Sequence, residues 1–412
     1  MKHVVAMFIG CSFLVGNVVS AQDWSIWRGP AGNGLTQGEN PPVSWSETAN
    51  VLWKAPVPGR GHASPTVVGD RIFLATSDVE NETQAVVCFD FNTGRQLWMT
   101  EVNRGNFNPR IYPTNTHASS TVVSDGTRLF AVFNNNQSAQ LVALDLEGNI
   151  LWETQAADFL PKRYQFGFGS SPVLHDGKVI VTSECERDGS MAAFRVEDGS
   201  EVWRVSRADA TSYSTPVIAE IGGREQMILS GANKVQSFDP SDGSLLWTAP
   251  GSWEVTCGTA VWDDQNVYVS GGYPQGQTLA VRADGSGEVV WDNPVKFYEQ
   301  SLLLHEGYLY GLADNGVAYC FRARDGETMW RQRLEKKVSA SPVLAGGNIY
   351  ISAESGNTYV FRATPEGYQQ VSQNVLGNTA YATPTFVRDR IIVRVAAGSG
   401  QDKQETLYCI GQ

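Results

Sequence analysis

The chain has 412 residues, a net charge of −12 and 18% charged residues. So acidic a surface offers no electrostatic footprint for the anionic backbone of nucleic acid, and it argues against tight binding to anionic lipid. With 42% hydrophobic residues there is material for one large domain or two ordinary ones.

Chain order begins with a short basic stretch, Lys2-His3, and an apolar run from Val4 to Val19. The run ends in Val19-Ser20-Ala21, a pattern that a signal peptidase reads, so residues 1–21 are expected to be a cleaved signal peptide. A retained anchor is the alternative, but Gly10, Gly16 and Asn17 interrupt a run shorter than the roughly 20 residues that span a bilayer. Lipidation at Cys11 is a second alternative, although Phe8-Ile9-Gly10 fits a lipobox poorly. No later stretch is apolar enough to span. The expected destination is therefore the periplasm or the extracellular space, reached by an exported chain.

Residues 22–49 form a lead-in, and from residue 50 to 412 one unit recurs. It runs Ser/Thr-Pro, apolar strand, tight turn, two further strands, acidic-Gly turn, Trp. The last part reads Gly-x-x-x-Trp at Gly94/Trp98, Gly148/Trp152, Gly199/Trp203, Gly243/Trp247, Gly287/Trp291 and Gly326/Trp330, while Gly367/Val371 keeps the spacing without the indole. Unit starts are placed at Pro65, Ser120, Pro172, Pro216, Thr259, Leu302, Pro342 and Pro384. A period of about 40–55 residues suits one four-stranded propeller blade. Eight starts predict an all-β, eight-bladed propeller, with insertions at Asn103–Thr116 and Ala156–Phe168.

Strands can be placed inside one unit. In the third, Ser171–Leu174 is the innermost, Lys178–Thr182 the second, Met191–Val196 the third and Glu201–Val205 the outermost. His175-Asp176-Gly177 supplies the positive φ of a tight hairpin. The tryptophans are expected to fill the wide gap between neighbouring blades, a structural role. The eighth unit ends at Ile410 without an outer strand, and Asn50–Pro56 carries the outer-strand pattern including Trp53. That segment is predicted to close the ring, removing two sheet edges. Register puts Cys88, Cys320 and Cys409 at the position of Ala143, in different blades and too far apart for a disulfide. No C-x-x-C, haem-attachment or metal-ligand spacing occurs; Cys185 and Cys257 are the one pair left open to a bridge.

Leu141–Asp145 followed by Gly148–Trp152 resembles the pyrroloquinoline-quinone (PQQ)-type propeller repeat, and the resemblance covers roughly residues 50–411. The lead-in Trp24–Pro30, with Gly59-Arg60-Gly61-His62, looks like that of exported PQQ-like propellers of planctomycete-type bacteria. The resemblance implies a quinoprotein-dehydrogenase-like fold and two contrasting roles. Quinoprotein alcohol and glucose dehydrogenases hold PQQ and calcium over the axis; here there are no adjacent cysteines, and no motif matches the calcium ligands or the aspartate base. The assembly factor BamB is similar in length and binds its partner without PQQ.

Function is sought in the loops, because the strands are committed to packing. Loops leading into the inner strands carry Arg60, His62, Arg110, Tyr112, His117, Arg163, Tyr164, Phe166, Tyr213, Trp253, Tyr298, Glu299 and Tyr381. Arginine and aromatic residues dominate binding hot spots. Arg60, His62, Arg110, His117, Arg163, Tyr164, Trp253 and Tyr298 are accordingly the candidate interaction face, beside the alternative that they pack the loops. His62 and His117 are read as buried, His175 and His305 as solvated turn residues. Trp262-Asp263 and Trp291-Asp292 occupy unrelated repeat positions and do not make a WD40 repeat. No nucleophile elbow, phosphate loop, H-E-x-x-H or EF-hand spacing is present. The sequence thus predicts an exported, monomeric, non-catalytic propeller that binds another protein or an envelope polymer, with no catalytic or metal residue and no cofactor. The alternative is a PQQ- and calcium-dependent dehydrogenase with a divergent site.

Overall fold

A hairpin turn with two consecutive positive-φ residues folds one strand directly back on its neighbour, and the chain uses this device repeatedly. Asp176 (φ 44°) and Gly177 (φ 68°) join Val173–His175 to Lys178–Ser183, with His175 paired to Lys178 across a two-residue loop. Ser190–Arg195 and Glu201–Ser206 complete that sheet, within a residue or two of the expected bounds. The computed structural model describes residues 23–36, 40–186, 188–207, 210–335, 337–400 and 403–412. Across them are eight antiparallel four-stranded sheets and no helix, the expected eight-bladed all-β propeller. The segment read as a signal peptide lies outside the described residues.

Ring closure follows the predicted route. Val51–Val57 is the outer strand of blade 8, antiparallel to Gln404–Ile410, with Trp53 opposite Cys409 and Ala55 opposite Leu407. The buried Arg394–Glu405 pair of the same blade, 2.6 Å apart, reaches blade 1. Arg394 donates to the Ala75 carbonyl at 2.8 Å, and Glu405 accepts the Gly61 N–H at 3.0 Å.

Blades are wedges, and different residues join their narrow and wide ends. At the axis, each blade presents one hydroxyl residue before its inner strand: Ser64, Thr121, Ser171, Thr215, Thr259, Ser301, Ser341 and Thr383. At seven of the eight junctions the backbone N–H of one donates to the hydroxyl oxygen of the next, at 2.9–3.1 Å. Between blades 4 and 5 the Thr259 hydroxyl instead donates to the Thr215 carbonyl at 3.2 Å. These anchors also correct two unit starts. The residue after the hydroxyl is Val122 in blade 2 and Ala260 in blade 5, not Ser120 and Thr259. Neither blade has proline there to mark the register.

At the wide end, the tryptophans bridge blades. Trp53, Trp98, Trp152, Trp291 and Trp330 each donate the indole N–H to a carbonyl of the following blade at 2.7–3.1 Å. Trp53, Trp98, Trp152, Trp203 and Trp291 lie flat against the turn glycines Gly94, Gly148, Gly199, Gly243 and Gly326, where a Cβ would come within 2.4–2.8 Å of the ring. The glycine of Gly-x-x-x-Trp therefore makes room for the indole of the preceding blade as well as turning the chain. Inside each blade a small residue faces the tryptophan: Cys88 opposite Trp98, Ala143 opposite Trp152, Cys320 opposite Trp330. Cys88, Cys185, Cys257, Cys320 and Cys409 are all free thiols, so Cys185 and Cys257 form no bridge.

The lead-in is sewn across the end of the ring opposite the long loops. Trp24 exchanges two hydrogen bonds of 3.0 Å with Val67 in blade 1, and the Ser25 carbonyl accepts from Ser124 in blade 2. Farther along, Arg28 donates to the Leu302 carbonyl of blade 6 at 2.6 Å, and Gly34 accepts from Leu344 in blade 7. The path runs from one side of the ring to the other and carries Trp27 over the axis.

Three measurements test this architecture. Gly126 and Gly148 share φ +92°, but only Gly148 abuts an indole. Alanine at Gly126 should cost about 1–2 kcal/mol for backbone strain, and alanine at Gly148 about 1–3 kcal/mol more from overpacking; equal urea midpoints would refute the docking. Thr121→Val keeps the shape but strands the Ser64 N–H, so it should lose about 1–3 kcal/mol, whereas Thr121→Ser should stay close to wild type. Deleting residues 51–57 should abolish cooperative thermal unfolding, and an unchanged transition would disprove closure by that strand.

Candidate functional site

The connections from each outer strand to the next inner strand collect at one end of the axis, and two of them are long. The first follows Gln96–Arg104 and the second follows Ile150–Asp158. Glu186 anchors the second by accepting the backbone N–H groups of Lys162, Arg163 and Tyr164 at 2.9, 2.9 and 3.2 Å. Burial pushes its carboxyl up, but those bonds outweigh it and hold Glu186 below the usual range. The anchored loop stacks Tyr164 on Phe166 (5.8 Å) and sets Phe166 edge-on to Tyr112, Tyr213 and Tyr273.

Inside this rim lies an axial cavity of about 400 Å³. Its aromatic wall is made by Tyr112, Tyr213, Tyr273, Tyr298 and Tyr381, joined by Phe166. Ser64, Thr121, Ser171, Thr215 and Thr383 of the axial hydroxyl ring line its depth, and Trp27 forms the floor. Trp27 also borders a cleft of about 260 Å³ on the far side, between the lead-in and the inner ends of blades 3 and 4. The lead-in thus closes one mouth of the axial channel and leaves the loop-side mouth open.

Two lining groups titrate in opposite directions. Burial, reinforced by the charges of Arg394, Arg60 and Lys403, pushes His62 down to about 3, so the ring is neutral at physiological pH. Its face lies 4.2 Å from Tyr381, and its buried Nε2 has no hydrogen-bond partner among the described residues. Glu299 opens onto the cavity but is ringed by protein. Desolvation and the nearby Glu354 and Asp314 carboxylates raise it, against the Ser339 hydroxyl beside it. Burial also raises the Cys257 thiol, so that side chain is no thiolate.

The residues expected to make one face divide into three groups. His62 and Tyr298 line the cavity, with Tyr164 just behind its rim. Arg163 and Arg110 are exposed: Arg163 lies 2.8 Å from Glu254 and 4.8 Å over the Tyr164 ring. Tyr164 itself is buried and donates its hydroxyl to Glu254 at 3.0 Å. The remaining three serve packing. Arg60 lies against Glu405 and pairs its backbone with Ser77; His117 packs on Phe107 at 4.3 Å; and Trp253 lies against Gly272, where a Cβ would come within 2.5 Å of it. His175 and His305 are mostly covered and sit beside Glu225 and Glu306, a correction to the solvated turn residues expected. Sequence reasoning missed Trp27, Tyr273 and Cys257 as lining groups. Of these, Trp27 carried a usable signal, because the lead-in motif that contains it had already stood out.

The residues present do not fit PQQ held by a divalent ion. Among the lining side chains the only formal charge is the acid Glu299, and no lysine or arginine faces the space to meet the quinone's carboxylates. Among the described residues no group of three or more His, Cys, Asp or Glu side chains is placed to hold a metal.

Comparison with known proteins supplies the family. The family described as outer membrane protein assembly factor BamB matches residues 34–103, 82–332 and 314–403. The BamB of Yersinia pestis is 21% identical over 390 residues, covering 89% of this chain and 91% of that protein. Among solved structures, BamB from Moraxella catarrhalis has a TM-score of 0.62 at 15% identity, over 87% of this chain and 96% of that one. A europium-containing methanol dehydrogenase has a TM-score of 0.67 at 11% identity, over 95% and 98%, a likeness of fold alone. The hydroxyl ring, the docked tryptophans and the match along nearly the whole propeller agree: the chain is a PQQ-like β-propeller and belongs to the BamB family.

Proposed function

We propose that this chain is an exported, non-catalytic propeller that holds another protein, or an envelope polymer, against its loop face. One observation carries the reading. The inserted loops, with the turn between Asn266–Gly271 and Gln277–Arg282, bring apolar and aromatic side chains to the surface at one end of the axis, with Tyr112 53%, Leu160 43% and Tyr273 42% exposed. Arg163 lies beside them, its side chain 64% exposed. A large apolar side chain left in water forgoes about 1.5–3 kcal/mol that burial would supply, and aromatic and arginine anchors are what interfaces use. The relatives described as outer membrane assembly factors support a partner that is itself a protein of the envelope. No helix among the described residues is long and apolar enough to cross a membrane. The dehydrogenase reading has the shared fold and a polyvinylalcohol dehydrogenase of Pseudomonas, 22% identical over 80% of this chain, behind it, and the cavity's charge opposes it.

The rim residues give the test. A Tyr112→Ala, Arg163→Ala, Tyr273→Ala variant should lose most of the protein captured from envelope extract by the wild type, while its thermal midpoint stays within a few degrees. Undiminished capture would remove this face. Purified protein given PQQ and Ca²⁺ should show neither a co-eluting quinone absorbance nor dye-linked alcohol oxidation; the appearance of both would restore the enzyme.

A further inference from the structure

The scaffold reading uses the rim and leaves the cavity beneath it without a task. Its volume of about 400 Å³ falls in the range of small-ligand pockets, roughly 300–1,000 Å³. It is closed below by Trp27 and open only on the loop side. A space that merely separated blades would be lined mainly by Val, Ile, Leu and Ala around a tryptophan, as the interface beside Trp247 is. This one is lined by tyrosines around a single carboxylate.

The charges around that carboxylate are uneven. Asp314 has a partner, Lys296, at 3.5 Å, and it accepts the Tyr298 N–H at 2.9 Å. Glu354 accepts the Ser339 hydroxyl at 3.0 Å. Glu299, which faces the cavity, forms no ion pair among the described residues, and Ser339 beside it has its hydroxyl proton on Glu354. On the opposite wall the cations are already engaged, since Arg394 and Arg60 turn to Glu405 and His62 is neutral. The open space therefore sees an unneutralised carboxylate beside electron-rich rings. One of these rings already shows its use: the Lys296 ammonium sits 4.9 Å over Tyr298.

We propose that the axial cavity is a receptor for an organic ammonium group, with Glu299 as its counter-ion and the surrounding tyrosines as its cage. A cation gains about 0.5–2 kcal/mol from each well-placed aromatic face, and the Glu299 carboxylate, exposed to the cavity, has no ion-pair partner among the described residues, so the two complement each other. A divalent metal is less well served, because Glu299 is the one charged ligand on a wall whose other oxygens are neutral phenols, hydroxyls and the Asn115 amide, and no group of three or more His, Cys, Asp or Glu is placed to hold it among the described residues. A neutral sugar would leave Glu299 unneutralised. The same ammonium chemistry is presented by a lysine side chain on a bound protein and by a free small amine. The assignment does not depend on the rim being an interface, so it survives failure of the capture experiment.

Titration calorimetry on the full chain tests it with n-butylammonium and the neutral n-pentanol. The ammonium should bind about tenfold or more tightly than the alcohol, the ratio that one unshared ionic contact in a partly desolvated site supplies. Glu299→Gln should erase that preference with the thermal midpoint preserved. Equal affinity for the alcohol, tighter binding of PQQ than of the ammonium, or an unaltered preference in Glu299→Gln would each overturn the assignment. The wild-type selectivity decides the question even if the variant fails to fold. Adding a lysine-bearing peptide and Nα-acetyl-lysine amide separates the sources. Binding of the peptide points to a partner's side chain, binding of the free amines alone to a small solute, and either outcome supports the ammonium site.

Discussion

Eight wedges meeting on one axis must satisfy the backbone groups that crowd together there, and the hydroxyl ring does so. A buried N–H without an acceptor costs about 1–3 kcal/mol, and the geometry brings one from each blade to the same narrow circle. A side chain that accepts this hydrogen bond has to be short, which leaves serine and threonine, and those are the residues found from Ser64 to Thr383. Each junction uses one blade's backbone and the next blade's side chain, so no blade is satisfied alone. At the wide end the tryptophans fill what the hydroxyls cannot reach, and five of their N–H groups again go to the neighbouring blade. Cohesion is thus mainly between blades, and the core clusters follow that pattern, joining strands of adjacent sheets.

That arrangement leaves little of the strand sequence free for chemistry. Arg394 is 2% exposed and is held by Glu405 and the Ala75 carbonyl at the ring's closure. What remains is the loop end, where length is tolerated because it costs little entropy. The two insertions use that tolerance to carry aromatic side chains inward over the axis, and Glu186 converts the second from a flexible connection into a fixed wall. The result is a cavity lined by tyrosine and hydroxyl side chains, with Glu299 its one formal charge. Common architecture and different charge can coexist because the scaffold makes no demand on loop composition.

Features repeated in every blade were legible in the sequence. Trp53 revealed the closing strand because it matched six other tryptophans, and Cys88, Cys320 and Cys409 declared themselves structural by sharing a register position with Ala143. Loss of the proline let the register slip in blades 2 and 5, where Val122 and Ala260 carry no local signal of their own, while blade 6, with Leu302 in its place, kept its register. The recurring Ser/Thr before the inner strand was visible, but its bond is to a residue about 40–57 positions away and cannot be inferred from spacing. Site residues were harder, since exposure and partner are properties of the folded loop. Arg60 and Trp253 resemble hot-spot residues by type and are packing residues in place, while Tyr273 lacked any distinguishing neighbour in sequence.

The pairing of Val51 with Ile410 has a consequence for how the chain comes to be folded. The strand made first needs a partner made last, so no amount of local order can finish the ring while the chain is still being delivered. Blades 1 to 7 can stack as they emerge, yet Val51–Val57 keeps a bare edge until Gln404–Ile410 arrives, a contact with large loop-closure entropy and a correspondingly slow search. The final lock is withheld until the last strand has been made.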